Sequence, residues 1–175
     1  MHGGTLARTR ICLCGALAVA CLVGSMRTVS AADQAPVAAA VADFDNVDTS
    51  GEAADRTAEH AARVSAFAGL LRSDLAAQNK FKIVQLACPQ PPCSAAHTPP
   101  EELMQSARQA GARFLVYGGI HKESTLVQWG KIGVIDLEKD KLVLSKNFSF
   151  RGDTDQAFQR AAAFMERYLD ALTTE

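Results

Sequence analysis

No charge of either sign dominates this 175-residue chain, which has 18 basic and 19 acidic residues. Removing residues 1–31, which hold Arg8, Arg10 and Arg27 and no acid, leaves 15 basic against 19 acidic, a net charge of −4. That mild acidity gives no electrostatic footprint for nucleic acid or for an anionic membrane surface. The sequence also lacks a nucleophile elbow, a phosphate-binding loop and paired catalytic acids at readable spacing. No internal repeat and no second linker interrupt it. What it does have is apolar material: 48% of residues are hydrophobic and only 21% charged, enough to build the core of one domain.

The apolar block Ile11 to Gly24 is too short for a comfortable bilayer span, and two arginines precede it. With the small residues Val29-Ser30-Ala31 after it, residues 1–31 read as a bacterial export signal cleaved after Ala31, with Ala32 the next candidate. An uncleaved anchor is one alternative. A lipoprotein is another, although Ala18-Val19-Ala20-Cys21 lacks the usual leucine three positions before the cysteine. The expected organisation is therefore a signal over 1–31, a tether over 32–36 and a single domain over 37–175. The expected location is the periplasm, with no transmembrane segment once the signal is gone.

Cleavage discards Cys12, Cys14 and Cys21 and leaves Cys88 and Cys93. A close, even pair in an exported chain is most simply a disulfide. The intervening Pro89-Gln90-Pro91-Pro92 does not fit a two-residue redox spacing. Free thiols and a soft-metal site are the remaining options.

Apolar periodicity orders the rest. Val37 to Phe44 is apolar at both parities, as in a strand covered on two faces. A polar loop over Asn46 to Asp55 leads to a helix over about Arg56 to Gln78, with Val64, Phe67, Leu71 and Leu75 on one stripe. Phe81 to Ala87 is a second strand. Pro99 and Pro100 open a second helix with Glu101 and Glu102 at its positive end, and Gly111 closes it. Phe114 to His121 is the third strand. Two short connections then make an antiparallel meander, with a bulge expected within Gly130-Lys131-Ile132-Gly133. In the last strand Leu142, Leu144, Phe148 and Phe150 face one way, and this half-exposed strand forms the sheet edge. Thr154 or Asp153 caps a final helix whose buried stripe is Phe158, Ala161, Met165, Leu169 and Leu172. The sum is an α/β (α+β) domain, β-α-β-α-β-β-β-α, with one mixed five-stranded sheet in the order 2-1-3-4-5 and the fourth strand antiparallel to the others.

Val41-Ala42-Asp43-Phe44-Asp45-Asn46 resembles the opening strand of TolB amino-terminal-like and CsgG-like domains. Val116 to Ser124, Asp136 and the run Arg151-Gly152-Asp153-Thr154-Asp155 complete a likeness to a family of small exported bacterial proteins of unknown function with a TolB-like fold. The resemblance implies fold and compartment. It carries no catalytic residues to transfer.

Several residue groups invite chemistry. Asp43-Phe44-Asp45-Asn46-Val47 resembles the first motif of haloacid-dehalogenase-type phosphatases, where one aspartate attacks phosphorus and a second handles the proton. Lys122 can stand for that family's lysine, but no late acidic pair follows an apolar strand to hold Mg²⁺. Asp43, Asp45, Asp48 and Glu52 approximate a calcium loop, with Val47 in a slot that needs a ligand. In an open α/β sheet, ligands collect at the carboxyl ends of parallel strands. His60, His97 and His121, with Asp43, Asp45, Asp48 and Lys122, all fall on that edge as a candidate ligand or divalent-metal site. Arg151-Gly152-Asp153 is a strand-to-helix turn, and the sequon at Asn147 lies within a strand. Trp129 either anchors a partner or, as a lone aromatic in a strand more often does, packs a sheet face. The leading reading is a non-enzymatic accessory or interaction module that works with another envelope protein, without cofactor, through its last strand or the strand-end edge. A small-ligand or metal binder is the alternative, and a hydrolase using Asp43 and Asp45 the next.

Overall fold

The structure, a computed structural model, describes residues 35–173. The segment expected to be an export signal, its expected cleavage position Ala31 and most of the expected tether lie outside the described residues. Among those described, no helix is long and apolar enough to cross a membrane.

Six strand segments form one mixed sheet: β1 (Val37–Val41), β2 (Asp45–Asp48), β3 (Phe81–Val84), β4 (Phe114–Lys122), β5 (Val127–Asp136) and β6 (Lys141–Arg151). Three helices accompany them, α1 (Thr57–Ala77), α2 (Pro100–Gln109) and α3 (Asp155–Asp170). The sheet order is β3-β1-β4-β5-β6, with β2 pairing β4. β1 and β3 are parallel and β5 is antiparallel to both neighbours, as expected.

β2 corrects the expected five-stranded count, because its residues read as part of a polar loop. β1 pairs only Phe114 to Val116 at the start of β4, and β2 continues along the same side of β4 from Gly119 to Lys122. Four chain positions separate Val41 from Asp45 but three separate their partners, so the edge carries a one-residue bulge. The bulge throws Phe44 across Gly118, whose added Cβ would meet the Lys131 carbonyl oxygen at 2.2 Å and the Phe44 ring at 2.8 Å. Only a side chain without Cβ fits there. β2 is mostly exposed, so no apolar alternation marked it as a strand. β3 also ends sooner than expected, at Val84 rather than Ala87.

The bulge expected within Gly130 to Gly133 lies instead between Val134 and Ile135, where β6 carries the extra residue Val143. The slip turns Val143 and Leu144 toward the core and leaves Leu142 49% exposed, correcting its inward assignment.

α1 and α3 cover one face. Phe67, Leu71, Phe158 and Met165 meet Val116, Ile120, Ile132 and Phe148 there. α2 covers part of the other, where Leu103 and Ala107 meet Ala40, Leu115 and Leu137. The stripe expected on α3 is the buried one, Leu172 being partly covered, and the Thr154 hydroxyl accepts the Ala157 amide as its cap. Gly111, at φ 78°, ends α2, with Ala112 N–H on the Ala107 carbonyl and Gly111 N–H on that of Arg108.

Candidate functional site

The inward parity of β4 runs Val116, Gly118, Ile120, Lys122, which puts a lysine where the pattern calls for an apolar residue. Lys122 is fully buried. Its Nζ lies 2.8 Å from Glu52 Oε2, 3.0 Å from Asp153 Oδ2 and 3.9 Å from Asp48 Oδ2. Asp153 Oδ1 also sits 3.1 Å from His60 Nδ1 and 3.1 Å from Arg63 Nη1, both on the first turns of α1. Burial pushes the Lys122 pKa down, but the hydrogen bonds to Glu52 and Asp153 outweigh it and the net shift is upward. Burial likewise pushes the Asp153 carboxyl up, and hydrogen bonds from His60 and Lys122 carry it below the usual range. The amino end of α3, which begins two residues on, favours the same ionised form. Gln128, cross-strand neighbour of Lys122, is fully buried, and neither atom of its amide has a hydrogen-bond partner, nor does His60 Nε2. Above the cluster lies a hollow of about 440 Å³ lined by Glu52, Arg56, Leu126 and Asp153 among others.

The remaining expected residues are distributed along the same edge. Asp43 is engaged by Arg72 Nη2 at 2.8 Å and by the Cys93 amide at 3.0 Å, and Arg72 also caps the Val41 carbonyl where β1 breaks. Asp45 accepts the Ala96 amide and lies 3.8 Å from His97, whose Nδ1 is 2.9 Å from Ser94 Oγ. Asp48 closes a turn on Ser50, whose side chain and amide hold its pKa down. His121 has the opposite parity to Lys122. It contacts Thr49 Oγ1 at 2.5 Å and the Trp129 ring at 4.9 Å on the other side of the sheet. The three histidines thus share an edge but have three separate sets of partners. Among the described residues no group of three or more His, Cys, Asp and Glu is arranged to hold a metal ion. The Cys88–Cys93 disulfide is formed, and Asp43 anchors its loop through both backbone and side chain.

Nothing in the sequence pattern marked Arg63, Arg72 or Gln128 as site residues, Arg63 and Arg72 reading only as the polar side of the first helix, and Glu52 and Asp153 stood out only in other roles. The available signal was the parity of Lys122, which demanded buried counter-charges without saying which.

A second feature is the far edge of the sheet. Among the described residues β6 has a strand partner on one side only, so the other side of this eleven-residue strand presents backbone groups free to pair. Trp129, 41% exposed on β5, and Phe164, 38% exposed on α3, flank it.

Residues 37–169, from β1 through nearly all of α3, match the family DUF3280, described as "Protein of unknown function (DUF2380)". The chain belongs to this family. No curated protein matches it. Among solved structures it is similar to a PelC variant from Paraburkholderia phytofirmans, solved as a dodecamer, with 15% identity, a TM-score of 0.50 and coverage of 80% of this chain and 90% of that one. TolB from Acinetobacter baumannii is 14% identical at a TM-score of 0.47, covering 75% of this chain and 26% of that one. The LpoB C-terminal domain from Escherichia coli is 15% identical at 0.46, covering 65% and 81%. At these identities the likeness concerns the fold: a DUF3280 chain with a mixed sheet, helices α1 and α3 on one face and α2 on the other.

Proposed function

We propose that this DUF3280 protein is a non-enzymatic accessory protein of the bacterial envelope that holds another protein on the free edge of β6. The observation that carries the reading is that edge itself. A long strand with one side unpaired offers a row of donors and acceptors that a second chain satisfies by strand addition. An exported chain suits the Cys88–Cys93 bridge, which persists in an oxidising compartment. The PelC structure of similar fold was solved as a dodecamer, which supports a role in association for this fold.

Cell fractionation combined with a photo-crosslinking residue at Ser145 or Ser149, both exposed on β6, tests this. The expected result is envelope localisation and a discrete crosslinked partner from β6 that is absent from a control at Ala76, exposed on α1. Cytosolic localisation, or no crosslink above the Ala76 control, refutes it.

One observation favours a second reading, a small polar ligand at the strand ends: the unpartnered polar atoms of Gln128 and His60 lie beside Lys122 near the 440 Å³ hollow. A thermal-shift panel of carboxylates and divalent cations tests it. Ligand at about 100 times its Kd adds about 2.7 kcal/mol, and no shift across the panel removes the reading.

A further inference from the structure

The reading of β6 as a docking edge, on which this inference rests, leaves open the chemistry of the partner, and α3 supplies it. The two flanks of α3 differ in charge. On the flank toward α1, Asp155 meets Arg63 at 3.2 Å, Glu166 accepts from Gln78, and Asp170 meets Lys80 at 2.6 Å. On the flank toward β6 stand Arg160, Phe164 and Arg167, spaced four and three residues apart on one helical face. The Arg167 guanidinium lies 5.0 Å from the Phe164 ring, and Lys146 Nζ of β6 lies 4.6 Å from the Tyr168 ring.

Between this flank and the strand runs a groove of about 290 Å³ lined by Phe148, Phe150, Arg151, Arg160, Ala161 and Phe164 among others. An adjoining hollow of about 570 Å³ continues past Lys146, Asn147 and Trp129. Three cations line the pair of hollows and no carboxylate does. The floor is aromatic: Phe150 packs edge-on to Phe158 and stacks with Phe148. An antiparallel pairing of β6 with β6 of a second copy in full overlap, centred on Lys146, would bring Lys141, Lys146 and Arg151 of one strand against the same basic set of the other. Like charges across paired strands are destabilising, so charge selects against self-pairing and for an acidic strand.

We propose that an extended segment of another protein, mixing acidic with apolar residues, adds to the sheet beside β6. Its backbone pairs with the free edge, its apolar side chains cover Phe150 and Phe164, and its carboxylates meet Lys146, Arg151 and Arg160. The groove therefore reads both backbone and charge: the edge accepts any extended chain, and the cations choose among them.

Fluorescence anisotropy with three labelled peptides of the length of β6 tests this on the purified protein. One repeats Val-Thr-Glu-Thr, which sets Val and Glu in turn on a single face (the Val-Glu peptide), one repeats Val-Thr-Lys-Thr (the Val-Lys peptide), and one is the Val-Glu peptide N-methylated at alternate amides. The Val-Glu peptide is expected to bind at least about tenfold more tightly than either of the others, and less tightly as salt rises. The double variant Arg151→Glu, Arg160→Glu is expected to lose about tenfold for the Val-Glu peptide and to gain affinity for the Val-Lys peptide, a gain that an unfolded variant cannot produce. Equal binding of the Val-Lys peptide overturns the charge selection. Equal binding of the N-methylated peptide overturns strand addition. No binding of the Val-Glu peptide, or sedimentation as a dimer whose formation blocks it, overturns the proposal as a whole. Crosslinks from Ser149 without Val-Glu binding would leave the docking edge standing and remove only the acidic strand. Absence of both removes the two readings together.

Discussion

Lys122→Ala takes a fully buried cation out of a site built around it. Glu52, whose side chain is 13% exposed, has Lys122 as its ion-pair partner at 2.8 Å, and loses it. Asp153 keeps Arg63 and His60 but loses a contact at 3.0 Å. Removing one member of a buried pair costs about 3–5 kcal/mol, because the desolvated partner charge stays behind without compensation. Set against a total stability of about 5–15 kcal/mol for a domain, that is a large fraction. Glu52→Gln is the milder comparison. It leaves Lys122 paired with Asp153 and keeps a polar group in place, so about 1.5–3 kcal/mol is expected from the lost charge-assisted hydrogen bond. Urea unfolding at neutral pH, followed by the fluorescence of Trp129 and by circular dichroism, measures both. With a slope of about 2 kcal/mol per molar, the Lys122→Ala midpoint falls by about 1.5–2.5 M. A loss below about 1 kcal/mol for Lys122→Ala, or a larger loss for Glu52→Gln, refutes the reasoning that Lys122 is the buried keystone of these strand ends.

Acid should weaken the fold through its depressed carboxyls. For Asp136, burial pushes the pKa up, but amides of Lys139 and Glu138 together with Arg113 carry it below the usual range, and Asp153 is lowered too. A lowered folded pKa stabilises above the unfolded value of about 3.9 and is lost as pH falls through the folded one. Tm is therefore expected to fall from about pH 5 toward pH 2, less steeply in Asp136→Asn, and a flat profile refutes this. Gly118→Ala places Cβ 2.2 Å from a backbone oxygen, so a loss of about 1–3 kcal/mol or more is expected in urea, and a neutral effect denies the bulge packing of Phe44. Ser106→Ala leaves both the amide and the carbonyl of Ala87 without the hydroxyl that now bonds them at 3.0 and 2.9 Å. About 1–3 kcal/mol is expected to be lost, with faster hydrogen exchange at the Ala87 amide, and unchanged exchange there counts against it.

The chain itself determined the features that repeat within a few residues. The stripe Phe158, Ala161, Met165, Leu169 needs only the helical period, and Thr154 and Gly111 act on their own turns, so all were legible before any tertiary contact was known. Strand order was legible too, because chain connectivity and short hairpins leave few alternatives. Tertiary structure alone decided the rest. β2 is exposed and polar, and it is a strand because β4 outruns β1 and needs backbone partners. Leu142 points outward because an extra residue in β6 shifts its register, which alternation on one strand cannot reveal. Lys122 finds Glu52 some 70 residues away in the chain and Asp153 beyond the meander, and the acids of α3 are engaged by Arg63 of α1 and by Gln78 and Lys80 just after it, which leaves the basic flank toward β6. Periodicity is written locally, whereas charge pairing and edge exposure exist only between segments that the fold brings together.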